Sequence, residues 1–459
     1  MNRPFTPSAR VSATALTAAL TAALAKCSLI AATLATGAAH AATPIDTQRP
    51  DAPELAAYGD YETGVRAIRL VNPDQVDVLA LDPEGERPDP LPRYDRPLTV
   101  QVWYPSYPGA TGSRRLSTFL RDGTTPIKLT GRSVQFAAPI TSEGDFPLVI
   151  VSHGYPGNRF LLSHLADNLA SKGYVVASID HTDSTYRTQA AFGSTLRNRT
   201  LDHLFVLNEM ERLNDDSASF LEGLVDTSRT AIVGYSMGGY GALITAGSGV
   251  TSASIDFPFS PPFGTLDIHE AGSESEADRP DARIRTAIAF APWGRQIGFF
   301  DAETLAGISI PMLYMAGDSD DVSGYEEGTR AAYLDTVNAD AALLSFANAN
   351  HNAAAPHPAP IESYTVSPTL GRAPFDHYAD AVWDTTRMNN IAQHFATAWL
   401  DKYLKGADTD RYLNLVEFSN DGVFDVDDAG TPTEANTYWE GFPDRSARGL
   451  RFERRDVGE

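Results

Sequence analysis

A doubly wound α/β fold, with a mostly parallel sheet and helices on both faces, is the architecture this 459-residue sequence predicts. Three observations carry the prediction. Short apolar runs alternate with helical stretches from about residue 98 to residue 405, as in a sheet covered on both sides. One run, Thr230-Ala231-Ile232-Val233, leads into Gly234-Tyr235-Ser236-Met237-Gly238 and then a small-residue helical stretch at 239–244. Strand, G-x-S-x-G, helix is the setting of a tight turn that carries a nucleophile. Side chains two positions to either side of the serine would clash there, hence the glycines. The serine Oγ then stands at a helix N-terminus, where backbone N–H groups can meet a developing anion. Lastly, no low-complexity linker and no internal repeat divides the blocks.

The elements follow in order. Residues 1–41 are expected to be an export signal. Arg3 and Arg10 form a basic start, an Ala/Leu/Thr-rich stretch follows, and Ala39-His40-Ala41 makes a small-residue cleavage site. Lys26 interrupts the apolar stretch, which argues against a membrane span. It also precedes Cys27, where a lipoprotein signal needs a small residue. Residues 42–64, rich in Pro, Asp and Ala, read as an extended segment. The domain proper is expected over 65–412. It opens with a strand at 65–71, a Pro- and acid-rich surface loop at 72–96, and a strand at 98–104 stopped by Pro105. An irregular stretch, with a helix near 114–121, leads to a buried strand at 146–151. The spacing of Leu161, Leu165 and Leu169 predicts a helix over 160–172, capped at Gly173. Then come a strand at 174–179, a helix over 197–214, and the strand and turn at 230–238. Further strands are expected at 285–290, 310–315 and 341–346, and an amphipathic helix over 388–405 ends at Gly406. Residues 249–282, with Phe257-Pro258-Phe259-Ser260-Pro261-Pro262-Phe263, are expected to be a lid or pocket wall, or else an ordered surface excursion. Residues 413–459 read as an irregular appendage packed on the domain through Trp439 and Phe442.

Composition bounds the function. Lys and Arg number 36 against 59 Asp and Glu, a formal charge of −23. Loss of residues 1–41 would remove three bases, no acid and the one cysteine, leaving 33 bases, 59 acids and a charge of −26. Such a chain holds its fold by core packing rather than disulfides. Its charge argues against nucleic acid and anionic membranes as partners. Periplasm or medium is the expected location. The sequence is silent on oligomeric state.

A serine needs a base to remove its proton, and the base needs an orienting acid. In this architecture both come from loops at the C-terminal ends of later strands, acid before histidine. The strand at 310–315 runs into Ala316-Gly317-Asp318-Ser319-Asp320-Asp321. Asp320 is the expected acid, with Asp318 and then Asp321 behind it. The strand at 341–346 runs into Asn348-Ala349-Asn350-His351. His351 is the expected base, His357 its rival, and His377 and His394 weaker ones. The oxyanion donors are expected to be the N–H groups of Met237 and of Tyr155, in the loop Ser152-His153-Gly154-Tyr155-Pro156-Gly157. His153 reads as structural. His181 and Asp183, past the strand at 174–179, are expected to line the pocket or to cap a turn, and Trp293 is a further pocket candidate. The ten histidines show no ligand spacing, and no P-loop or dinucleotide fingerprint occurs, so neither metal nor cofactor is expected.

With these residues in place the chain resembles the α/β-hydrolase superfamily. Within it, the chain is similar to the dienelactone-hydrolase-related serine esterases that include platelet-activating-factor acetylhydrolase. The matching pieces are Val102-Trp103-Tyr104-Pro105, Ser152-His153-Gly154, Leu169-Ala170-Ser171-Lys172-Gly173-Tyr174-Val175-Val176-Ala177, Asp180-His181 and the serine turn. Weaker likeness extends through Trp439-Glu440-Gly441-Phe442 to Gly449-Leu450. Two departures stand out. Dienelactone hydrolases have cysteine where this chain has Ser236, so their lactone activity is not implied. The acetylhydrolase places its acid after an earlier strand, and the matching Ala289-Phe290-Ala291-Pro292-Trp293-Gly294 holds none. Asp320 fits the commoner superfamily layout and that of cutinase-like polyester hydrolases. Those also resemble this chain in Gly154-Tyr155 and Ser236-Met237-Gly238-Gly239. The resemblance implies a serine hydrolase of carboxylic esters, on small-molecule or lipid substrates and first on short-acyl ones. The alternatives are a lipase, phospholipid deacylase or polyester hydrolase, and outside enzymes an inactive binding protein on the same scaffold.

Overall fold

Alternation of apolar residues decides which face of the central sheet each side chain meets. The computed structural model describes residues 42–276 and 279–457; the export signal expected at 1–41 lies outside them. In chain order the elements that build the site are β1 (Glu62–Val76), β2 (Arg93–Ser106), β3 (Phe146–Ser152), α1 (Ser163–Ser171), β4 (Val175–Asp180), α2 (Phe192–Asp215) and β5 (Val225–Tyr235). They continue with α3 (Met237–Thr245), β6 (Ile284–Phe290), β7 (Met312–Gly317), β8 (Ala341–Phe346), α4 (Thr385–Lys405) and β9 (Leu450–Arg455). Across the sheet the strand order is β9-β8-β7-β6-β5-β3-β4-β2-β1, with the short strand Val134–Gln135 beside β1. Neighbours from β4 across to β8 run parallel, while β1, β2 and β9 join antiparallel.

Both faces are covered. Val149 and Val151 of β3 join the core layer of α1 and α4, whereas Leu148 and Ile150 join that of α2 and α3. β5 divides in the same way, Ala231 and Val233 against Ile232. A strand buried on both sides has no use for polar alternation, which is why these runs are wholly apolar. α4 starts at Asp384, whose side chain accepts from Arg387 N–H, and stops at Gly406, which adopts φ 67°. The chain passes from β3 outward to β4, then returns past β3 to β5. The loops after β3 and β5 therefore meet at the strands' C-terminal ends, where such folds bind ligands.

Several expected elements need correction. The helix expected near 114–121 is a strand, Arg115–Phe119, antiparallel to Pro126–Thr130. Leu116 and Thr118 point inward with a period of two, not the helical period. The loop expected at 72–96 is shorter, because β1 runs on to Val76 and β2 begins at Arg93. Pro105 does not stop β2. The ladder with β4 ends at Trp103, so on that side the missing N–H breaks no bond. The C-terminal stretch is not wholly irregular. It supplies β9, paired with β8 from Leu450↔Phe346 to Arg455↔Ala341. Trp439 and Phe442 anchor it on Phe395, with ring centroids 5.9 and 6.0 Å apart.

Candidate active site

Backbone strain marks the serine. Ser236 follows β5 with φ 54° and ψ −112°, a conformation that costs a residue with a side chain about 1–3 kcal/mol. Its surroundings hold it there. Ser236 N–H donates to Phe290 O at 2.8 Å, and its carbonyl accepts from Tyr240 N–H at 2.9 Å and Trp293 N–H at 3.1 Å. A Cβ on Gly234 would lie 2.1 Å from Gly238 O, and one on Gly238 would lie 2.0 Å from Ser152 O. The two glycines are therefore required by close approach of backbone.

His351 and Asp320, from the loops after β8 and β7, converge on this serine. His351 Nε2 lies 2.9 Å from Ser236 Oγ, and Nδ1 lies 2.9 Å from Asp320 Oδ2. Asp320 Oδ1 also accepts the N–H groups of Val322 at 2.8 Å and Ser323 at 2.9 Å. Its carboxylate, wholly buried, is thereby satisfied. The bond to Asp320 assigns the ring proton to Nδ1 and leaves the Nε2 lone pair facing the serine hydroxyl. The rival residues are turned to other uses. Asp318 is exposed and accepts from Asn348 N–H at 2.6 Å. Asp321 is exposed on the cavity wall. His357 is buried, with Nδ1 2.9 Å from Pro358 O. His377 Nε2 meets Tyr186 Oη at 2.7 Å, and His394 Nδ1 accepts from Leu55 N–H at 3.1 Å.

Ser236 and His351 open into a cavity of about 470 Å³, with Tyr155, Arg121, Arg372 and His377 on its wall. That volume suits a small-molecule ligand. Met237 opens α3, and its N–H is one of the first four in a helix that have no intrahelical acceptor. The Tyr155 loop comes up beside the serine: a Cβ on Gly154 would stand 3.4 Å from Ser236 Cβ. The Tyr155 ring packs edge-on against Phe192 at 5.0 Å, and its hydroxyl donates to Ala190 O at 2.8 Å.

The other pocket candidates are placed differently from expectation. His181 and Asp183 do not line the cavity, because α2 covers them and partners from other segments, Asp202 and Ser152 for the one and Arg96 and Ser194 for the other, fill their bonding capacity. His181 is 1 % exposed. Its Nδ1 lies 2.8 Å from Asp202 Oδ2 and its Nε2 lies 2.8 Å from Ser152 Oγ. Asp183 pairs with Arg96 at 2.6 Å, and Arg96 also clasps Asp202 through two bonds of 2.8 and 2.9 Å. Arg199 completes the network beneath the Tyr155 loop. It donates to Ser152 Oγ at 3.2 Å, to Ser184 Oγ at 2.7 Å, and to the carbonyls of His153 and Gly154. Burial pushes its guanidinium down to about 9. Burial first, and then the Arg199 charge, holds His153 and His181 well below the ordinary histidine value, so both are neutral. The ring of Trp293 turns from the cavity into an aromatic cluster, 5.2 Å from Phe192 and 6.2 Å from Phe259. Residues 249–282 contribute Phe257 and Phe259 to that cluster, and among the described residues none of them lines the cavity. Arg96, Arg199 and Asp202 escaped the sequence reading. The one available signal was charge on the inward face of α2, where Arg199 and Asp202 stand three residues apart.

Similarity to known proteins follows this geometry. A family described as PET hydrolase-like (PETase) matches residues 130–261. That stretch holds the Tyr155 loop and Ser236 but ends before Asp320 and His351. Cutinase est1 of Thermobifida alba is 26% identical over 204 residues, which are 44% of this chain and 52% of that protein. The chain thus spans about half the length of that relative. Platelet-activating factor acetylhydrolase of Cavia porcellus is 28% identical over 32% of this chain and 43% of its own length. Among solved structures, a ferulic acid esterase from Streptomyces cinnamoneus superposes with a TM-score of 0.53 at 18% identity, over 90% of this chain and 99% of that one. Sheet order, serine turn and these similarities together give the chain the α/β-hydrolase fold and a likeness to carboxylic-ester hydrolases of the cutinase and acetylhydrolase kinds.

Proposed function

We propose that this protein is an exported serine hydrolase of carboxylic esters that works through an acyl-enzyme on Ser236. The observation that carries the reading is the line of contacts from Ser236 Oγ to His351 Nε2 and from His351 Nδ1 to Asp320, each 2.9 Å, at the wall of a cavity. Ser236 attacks the acyl carbon while His351 takes its proton, and Asp320 orients and supports the imidazolium. The N–H groups of Tyr155 and Met237 hold the oxyanion. His351 hands the proton to the leaving alcohol and then activates the water that releases the acid. Short-acyl esters are the first substrates to offer. The match to a PET hydrolase-like family over 130–261 favours polyesters as a second reading.

The test is hydrolysis of p-nitrophenyl acetate by wild type and Ser236→Ala. A loss of ~10⁴-fold or more in kcat/KM is expected, and equal rates would remove Ser236 from the mechanism. An acyl-chain series and release of soluble acid from a polyester film separate the two substrate readings. Export is tested by expressing the full chain in a bacterial host and sequencing the N-terminus of protein recovered outside the cytoplasm. A start after Ala41 is expected, and an intact Met1 contradicts it.

A further inference from the structure

Among the described residues, one positive charge in the cleft stands without a partner. Arg121 lines the same cavity as Ser236 and His351 and is half-buried there. Its backbone N–H donates to Tyr378 Oη at 2.9 Å. Among the described residues its guanidinium makes no hydrogen bond, ion pair or ring contact. The nearby acids do not serve it. Asp122 accepts from Thr124 N–H, Thr125 N–H and Ser367 Oγ, each at 2.9 Å. Asp376 is taken by Arg372, and Asp321 remains exposed to water. Around the guanidinium stand the phenols of Tyr186 and Tyr378 and the like charge of Arg372. Burial is the main influence lowering its pKa, yet an arginine stays charged in neutral water.

A partly desolvated cation without an anion costs free energy that a carboxylate in the cavity would offset. The planar fork of arginine suits a carboxylate, which it can hold by two bonds at once. In a chain of net charge −23, a free cation on the wall that carries the serine calls for a specific cause.

We propose that Arg121 receives a carboxylate of the substrate, so that the site favours half-esters, whose acyl or alcohol part bears a second, ionised carboxyl group. This rests on the ester-hydrolase reading of Ser236 and names its substrate class. The reaction then releases either a dicarboxylate or an alcohol that carries a carboxylate.

The test uses two matched pairs of esters. Mono-p-nitrophenyl glutarate against p-nitrophenyl valerate places the charge on the acyl side. Para-acetoxybenzoate against phenyl acetate places it on the alcohol side. Wild type is expected to prefer the anion in one pair, which tells the side. Arg121→Gln is expected to lower kcat/KM for that anion ~10- to 100-fold, mainly through KM, with the neutral partner changed by less than about threefold. Arg121→Lys should recover part of the loss. The neutral ester also reports that the variant is folded. An unchanged anion-to-neutral ratio in Arg121→Gln overturns the proposal. If wild type cleaves no ester, the ester reading fails by itself, and calorimetric binding of glutarate still decides for Arg121. Binding ~10-fold weaker in Arg121→Gln upholds the anion site, and equal binding overturns it.

Discussion

Two Ser–His–Asp lines lie side by side at the C-terminal edge of one sheet. Ser236–His351–Asp320 has contacts of 2.9 and 2.9 Å, and Ser152–His181–Asp202 has contacts of 2.8 and 2.8 Å. Composition and distance do not tell them apart; their surroundings do. Ser236 sits at a strained turn on a cavity wall, and no cation pairs with Asp320 among the described residues. Ser152 ends a regular strand, wholly buried. There its Oγ accepts from Arg199 while it donates to His181 Nε2, and Arg96 clasps Asp202. The first line keeps unspent bonding capacity facing a cavity. The second is enclosed in a buried network whose Arg199 bonds the carbonyls of His153 and Gly154 in the loop that carries Tyr155. A triad is a matter of access and free lone pairs, not of three residue types.

Variants of equivalent members test that contrast. The largest effect is expected from Ser236→Ala, a ~10⁴-fold or greater loss of ester turnover with the unfolding midpoint unmoved. Asp320→Asn should cost ~10³- to 10⁴-fold in kcat, because an amide there favours the wrong tautomer of His351. Its counterpart Asp202→Asn should act on stability, by about 3–5 kcal/mol, since Arg96 loses half of its buried compensation. Ser152→Ala should cost about 1–3 kcal/mol in urea unfolding and leave kcat/KM within about tenfold. A large loss of turnover with full stability would contradict the structural role given to Ser152.

The smallest effect near neutrality is that of pH. His153, His181 and His203, a buried histidine of α2 whose ring stands 5.7 Å from that of His181, are held below the ordinary histidine value chiefly by burial, His203 at about 3. Below pH about 6.5 the unfolded chain binds protons that the native state refuses. Stability should therefore be flat above pH 7 and fall as pH drops, by up to about 1.4 kcal/mol per pH unit for each such histidine. Calorimetric scans from pH 5 to 8 check this, and a Tm that rises toward pH 5 would contradict a neutral second line.

The legible parts of the sequence were those whose cause is local. The strand at 146–151 reads clearly because both faces are buried, and Gly234 and Gly238 because backbone approaches too closely for a Cβ. Ser236, Asp320 and His351, which the fold brings together, each stand within five residues of the end of an apolar strand. What failed was set by partners far along the chain. His181 and Asp183 stand at the right rim, but Arg96 lies 87 residues before Asp183, and Asp202 lies 21 residues after His181. Nothing local to either reveals the pairing. Arg121 was hidden for a similar reason. It stands just past a strand read as a helix, and only the folded chain brings that hairpin to the cavity of Ser236.

The contrast between the two lines is tested most directly by labelling the folded protein with a fluorophosphonate and mapping the adduct by mass spectrometry. A single phosphonyl group on Ser236, absent in Ser236→Ala and retained in Ser152→Ala, is the expected result. An adduct on Ser152, or undiminished labelling of Ser236→Ala, would contradict it.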